Sequence, residues 1–411
     1  MALSNVIINK TSGNLGRRSP SEDGISGLVC TGIDVVGGLQ YNTTYELRSI
    51  DDLEALGVDA AYDETNKLLL HYHVSEFFRL SPSGRLFILV MPQTETLTLL
   101  CTPSPSNPLN KLLISGQGKI RQVGVCINPD ASYTTDVTNG IEQDSLDAIA
   151  QAQLTADAEE AEYRPVVVLV EGRNYQGNAT NVADARALGN YKNVAIVIAQ
   201  DKAVANLEPE YAAHAAIGTA LGAVSAANVN ECIGWVGKFP LTNTAQSKFL
   251  VPALSGGQLI QNISLVDLGT LNNKGYIFAR TFPNFQGCYF NDSHTCTVVS
   301  DDFAYIENVR TIDKAGRIVR NALLPDVNSP VLVDPDTGKL APEVIKYFES
   351  KGDQAIRRMQ QDSEISGYDV YVDPDQDVLG TSLLEVQFEL TPTGTARTIK
   401  ATIGFKNPFN S

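Results

Sequence analysis

The string Leu254-Ser-Gly-Gly-Gln258 spells the signature loop of ABC-type ATPases and is the sharpest hint of chemistry in the chain. That loop works only opposite a Gly-rich phosphate cradle ending in Lys-Ser/Thr, with an acidic pair closing a hydrophobic strand. Here Gly116-Gln-Gly-Lys119 runs into Ile120, Gly234-Trp-Val-Gly-Lys238 runs into Phe239, and the later apolar stretch ends in Asp267-Leu268. Without a cradle the string reads as a Gly-rich turn. Dinucleotide binding needs GxGxxG where a strand turns into a helix, so that backbone can approach the pyrophosphate. Neither Asn128-Pro-Asp-Ala-Ser132 nor Glu171-Gly-Arg-Asn-Tyr175 supplies it.

Metal and nucleophile patterns fall short in the same way. Asp334-Pro-Asp-Thr-Gly338 and Asp373-Pro-Asp-Gln-Asp377 alternate carboxylates like a calcium loop, but the first lacks a third acid and the second lacks the glycine. Both read as Asp-Pro turns. His71 and His73 would share a face only on a strand, and their surroundings read as helix. His294 and Cys296 could share a strand face, yet two donors do not make a zinc site. No GxSxG elbow is present, since Gly24-Ile-Ser-Gly27 is one residue short. The reading therefore assigns no catalytic, cofactor or metal residue and expects a protein that is not an enzyme.

The chain has 411 residues, 43% of them hydrophobic, enough for a large core and far too apolar for disorder. A net charge of −16 argues against nucleic acid as partner, because phosphate binding needs a dense Lys/Arg face. No apolar run is long enough to insert in a membrane, and Met1 to Lys10 lacks the pattern of a secretory signal. Six scattered cysteines without a CxxC pair read as buried thiols in a reducing compartment.

Strand signals at Gly27–Ile33, Arg85–Met91, Val123–Asn128, Val166–Val170 and Val194–Ala199 alternate with helix signals. The helix signals lie at Ile50–Leu56 (Ser49 as N-cap), Asn66–Leu80, Ser145–Ala161, Ala179–Leu188 and Pro209–Ala227. That alternation predicts an α/β fold with a mainly parallel sheet covered on both faces. Further on, helices are predicted over Tyr305–Leu324 and Pro342–Gln361. At the end, Leu384, Val386, Phe388 and Leu390 alternate with polar residues, and the alternation restarts at Ile399, Ala401, Ile403 and Phe405, which predicts a hairpin with one apolar face. Near the start, Val6, Ile7 and Ile8 form an orphan strand, which needs a sheet to join. The expected organisation is an amino-terminal arm over 1–24, an α/β core over 25–270, an α+β domain over 271–380 and a hairpin arm over 381–411.

The segment order resembles the contractile tail sheath family of myophages and related injection systems. The resemblance is carried by Phe282-Pro-Asn-Phe-Gln-Gly-Cys-Tyr-Phe-Asn-Asp292, Asp302-Phe-Ala-Tyr-Ile-Glu-Asn-Val-Arg310, Leu323-Leu-Pro325, Asn328-Ser-Pro330, Val333-Asp-Pro-Asp-Thr-Gly338 and Ser366-Gly-Tyr368, with a looser match at Arg48-Ser-Ile-Asp-Asp-Leu-Glu-Ala-Leu-Gly57. It implies a structural subunit that assembles in the bacterial cytoplasm, polymerises helically around a tail tube in a virion tail or injection particle, and contracts. Its implied partners are other copies of itself, the tube protein, and baseplate and terminator proteins. It implies that Val6, Ile7 and Ile8, and Leu384 to Ile403, exchange strands between subunits. Lys346, Lys351, Arg357 and Arg358 on the last long helix become the candidate tube contact. Two rival readings stay open: another structural polymer, and an α/β enzyme or ligand-binding protein whose site has no motif.

Overall fold

The computed structural model of the chain describes residues 22–405. Strands in chain order are β1 (Ile25–Gly32), β2 (Thr44–Leu47), β3 (Arg85–Pro92), β4 (Gln122–Cys126), β5 (Val167–Glu171), β6 (Val194–Val197), β7 (Ala199–Asp201), β8 (Pro252–Leu254), β9 (Tyr276–Ile277), β10 (Ala279–Phe282), β11 (Phe285–Phe290), β12 (Ile365–Tyr371) and β13 (Gln387–Pro392). The helices are α1 (Ile50–Glu54), α2 (Ala60–Asn66), α3 (Leu70–Leu80), α4 (Leu97–Cys101), α5 (Pro108–Ser115), α6 (Gln143–Ala161), α7 (Lys202–Ala205), α8 (Ile217–Ala226), α9 (Leu265–Asn273), α10 (Ile306–Leu323), α11 (Pro342–Gln361) and α12 (Val378–Thr381). The described residues form two compact units, 22–229 with 233–317, and 230–232 with 318–405.

In the first unit a seven-stranded sheet runs in the order β2-β3-β1-β4-β5-β6-β9, parallel throughout except for β2. Its central strands are buried along their whole length, as a sheet covered on both faces requires. Alternate residues divide between two cores. Leu28, Ile88, Leu169 and Val197 pack with α3 and α8, while Val29, Leu89, Val168 and Ile196 pack with α4, α5 and α6. The α8 helix is buried from Ile217 to Ser225 and lies against α3 at backbone contact. A Cβ on Gly218 would stand 2.0 Å from the His73 carbonyl oxygen, and one on Gly222 would stand 2.9 Å from that of Phe77.

At its amino end β1 is held by α10. Lys314 Nζ and Arg317 lie 2.8 and 2.9 Å from the two carboxylate oxygens of Asp23, and Arg310 donates to the Asp23 carbonyl at 3.2 Å. Although burial opposes it, the two side-chain cations hold the Asp23 carboxyl below its usual range.

Three helix predictions need correction. The Asn66–Leu80 helix breaks at Lys67, which adopts φ +55°. Asp63 then caps the second piece, accepting from the N–H groups of His71 and Tyr72 at 3.1 and 2.9 Å. Ala179–Leu188 is not helical. Its carbonyls at Thr180, Val182 and Ala183 accept from Lys274 and from the Tyr276 hydroxyl, so tertiary donors replace the intrahelical ladder. Within Pro209–Ala227 only Ile217–Ala226 is α-helical, because Gln200 draws the Ala212 and His214 carbonyls out of line at 2.9 and 2.8 Å.

In the second unit α11 buries a stripe of Phe348, Gly352, Ile356 and Met359. β12 and β13 pair antiparallel and lean on that helix: a Cβ on Gly352 would stand 2.8 Å from both Val370 and Phe388, which face each other across the pair. The Tyr368 hydroxyl donates to the Asp353 carboxylate at 2.6 Å and ties the same helix from the side.

Candidate functional site: the open strand pair

β12 and β13 make a sheet of two strands only, so among the described residues each presents an outer edge that no strand covers. Such a pair is marginal by itself and is stabilised here by α11 beneath it. The predicted alternation is present. Leu384, Val386, Phe388 and Leu390 are half-buried, whereas Glu385, Gln387 and Glu389 between them are exposed. The hairpin prediction is corrected in its partner: Gln387–Pro392 pairs with Ile365–Tyr371 and not with residues 399–405. Leu384 and Val386 pack around Leu340, Phe348 and Val372 of their own unit. Ile399, Ala401 and Ile403 lie outside any strand and are exposed, Ile399 by 85% and Ile403 by 94%, with Phe405 fully exposed beyond them. Val6, Ile7 and Ile8 lie outside the described residues.

The four basic residues predicted on α11 all have acidic neighbours. Lys346 lies 3.8 Å from Glu349, Lys351 pairs with Asp326, Arg357 with Asp353, and Arg358 lies 3.3 Å from Asp362. The exposed face of this helix is therefore of mixed charge, and it also carries Tyr347, which is half exposed.

The strings that resembled chemistry have structural partners. Ser255 donates its N–H to Ile198 at 2.9 Å, and a Cβ on Gly256 would stand 1.7 Å from the Tyr175 carbonyl, so the Ser-Gly-Gly turn is pressed against its neighbour. Asp334 accepts from the backbone of Asp336 and Thr337 at 3.0 and 2.7 Å, closing an Asx turn. The crevice between β1 and β4, where the strand order reverses, is where open α/β sheets bind ligands. Asn128 fills it, donating to the Thr31 carbonyl at 2.8 Å and accepting from the Leu69 N–H at 2.9 Å.

One buried ionic group was not foreseen. Glu171, at the end of β5, accepts from the N–H groups of Ile127 and Ala215 at 2.9 Å each, and Arg173 lies 3.2 Å from it. The Arg173 Nε lies 3.3 Å from Glu142, and all three side chains are buried. Burial pushes the Glu171 carboxyl up, opposed by Arg173. The only signal in the sequence was the pair of charges Glu171 and Arg173 closing an apolar run.

A model of the DUF2586 N-terminal domain matches residues 3–294, and one of the DUF2586 C-terminal domain matches residues 302–410. The chain belongs to the DUF2586 family. No curated protein matches it. Among solved structures, this DUF2586 chain is similar to the helical sheath of the anti-feeding prophage in its contracted state, at 15% identity and a TM-score of 0.62 over 99% of this chain and 100% of the other. It is similar to the contracted sheath of an extracellular contractile injection system, PVC, at 12% identity and a TM-score of 0.57 over 100% and 99%. A sheath tail protein from Listeria innocua aligns at 12% identity and a TM-score of 0.50, over 90% and 92%. The DUF2586 chain therefore has the sheath fold, a mixed α/β architecture with a mainly parallel central sheet and small accessory sheets.

Proposed function

We propose that this chain is the structural subunit of a contractile sheath, polymerising with copies of itself around a tail tube and contracting to drive that tube through a target envelope. The observation that carries the reading is the extent of the likeness, 99% of this chain against 100% of a sheath subunit in its contracted state. A ligand-binding module sharing one domain would not align end to end.

The open strand pair suits this work. An incoming strand from a neighbouring copy would complete the β12–β13 sheet, gaining affinity from backbone hydrogen bonds and register from side-chain alternation. The alternating segment Ile399, Ala401 and Ile403 is a candidate donor, and Val6, Ile7 and Ile8 form a second at the other end of the chain. The role of this protein is mechanical and not enzymatic: repacking of subunits, with no nucleotide, supplies the motion. Tube, baseplate and terminator proteins are its partners in the assembled particle, and the exposed face of α11 is the proposed tube contact.

Electron microscopy of the purified full-length chain tests this. Hollow helical tubes or stacked rings are expected as concentration rises. A monodisperse particle that stays unassembled at high concentration across a range of salt would overturn the reading.

A further inference from the structure

Resting on the sheath reading, we propose that an acidic cavity at the carboxyl end of the main sheet receives a guanidinium side chain, Arg17 or Arg18, from a second copy of this chain. The cavity, of about 310 Å³, lies between the loop after β3, the loop after β4 and the first turn of α6. Asp130, Asp136, Glu142 and Asp144 line it together with five hydroxyl side chains, and no Lys or Arg does. Asp144 is occupied, accepting from the N–H groups of Leu97 and Thr98 at 2.7 and 3.0 Å at the start of α4.

Glu142 sets the demand. It is fully buried, its Oε2 accepts the Tyr133 hydroxyl at 3.0 Å, and its Oε1 has no hydrogen-bond partner. Both oxygens of Glu171 already accept N–H groups, so two buried carboxylates stand against the single guanidinium of Arg173. A buried carboxylate oxygen without a donor is costly, and one more cationic donor would settle both the charge and the hydrogen bond. A guanidinium fits best, because its planar fork carries five N–H groups into a cavity walled by acceptors. A bare metal ion fits poorly: among the described residues, the carboxylates here are not gathered within ligating distance of one another.

The sequence supplies the occupant. Residues 1–21 contain Lys10, Arg17 and Arg18 and no Asp or Glu, in a chain of net charge −16. Arg17 and Arg18 precede Glu22 by five and four residues, a reach of at most about 18 Å. The cavity lies at the far end of the sheet from Asp23, and the eight residues of β1 alone span about 26 Å. The backbone at either arginine therefore falls short of the cavity of its own chain, which favours a contact between copies.

Sedimentation of assembled material against protein and salt concentration reads this out. Arg17→Glu with Arg18→Glu, and separately Asp130→Lys with Asp136→Lys, should each raise the concentration needed for assembly by about tenfold or more, and combining all four should restore most of it. A direct geometric check places Arg18→Cys and Ser132→Cys in one chain. The six native cysteines are buried, so mild oxidation should give a ladder of disulfide-linked copies that neither single variant gives. Charge reversals that leave assembly unchanged, or a double-cysteine chain that gives no ladder from assembled material, overturn this inference alone. A wild-type chain that never assembles overturns the sheath reading with it.

Discussion

Removing residues 399–411 separates what the carboxyl-terminal segment does for its own chain from what it does for a neighbour. Within the chain the described part of this segment contributes almost nothing: Ile399, Ile403 and Phe405 are 85%, 94% and 111% exposed, and no strand there pairs. Dilute, unassembled truncated chain should therefore unfold within about 1 °C of wild type. Between chains the arithmetic differs. An edge of six residues such as β13 offers roughly six backbone hydrogen bonds to strands on its two sides, about three of them outward, each worth about 0.5–1.5 kcal/mol net. Burying Ile399, Ile403 and Phe405 adds about 1.5–3 kcal/mol each. Together these make about 6–13 kcal/mol per contact before association entropy, enough to decide assembly. Thermal unfolding at low concentration and electron microscopy at high concentration measure the two sides. Truncated chain that forms tubes at the wild-type concentration would refute the reasoning, and so would a midpoint lowered by several degrees, which would place the segment in the core of its unit.

Gly218→Ala should destabilise by about 3 kcal/mol or more, since its Cβ would meet the His73 carbonyl at 2.0 Å, whereas Gly269→Ala on the open face of α9 should be neutral or mildly stabilising in the same urea titration. Burial drives His73 down to about 3 and His214 down to about 4. The folded chain therefore keeps both neutral while the unfolded chain protonates them below about 6.5. Their contribution is complete above that pH and declines as pH falls, by about 2 kcal/mol each at pH 5, and urea midpoints at pH 7 and 5 should show it. Asp63→Ala should cost about 1–3 kcal/mol by releasing the N–H groups of His71 and Tyr72. Charge reversal of Lys346 and Arg358, the most exposed of the four basic residues on α11, should weaken co-sedimentation with tube protein while leaving tubes of sheath alone intact.

The parallel core was legible because its strands are short, largely apolar runs buried on both faces, β-branched in β5 and β6, a pattern that needs no knowledge of their neighbours. The two long late helices were legible from their apolar stripes, and Pro342 marks the start of α11. What failed did so where a distant group overrode local preference. The carbonyls of Thr180 to Ala183 answer to Lys274 and Tyr276, some ninety residues on, which no window around Ala179 contains. The last strand shows a different limit. A period of two fixes which face of Gln387–Pro392 is apolar but carries no information about its partner, so the sequence points as readily to the nearby alternating residues 399–405 as to Ile365–Tyr371. The buried group of Glu142, Glu171 and Arg173 comes together only through folding, since Glu142 is the N-cap residue of α6 whereas Glu171 ends β5 and Arg173 lies just beyond it.

The grip of α10 on Asp23 has a mechanical consequence. Tension on the amino-terminal segment enters the fold at that carboxylate and then along β1, which lies inside the sheet with β3 and β4 parallel on its two sides. A pull along the strand axis loads both ladders together, eight paired residues on one side and five on the other, instead of peeling them apart one bond at a time. The chain thus takes load in shear through its central strand, the geometry in which a sheet yields last.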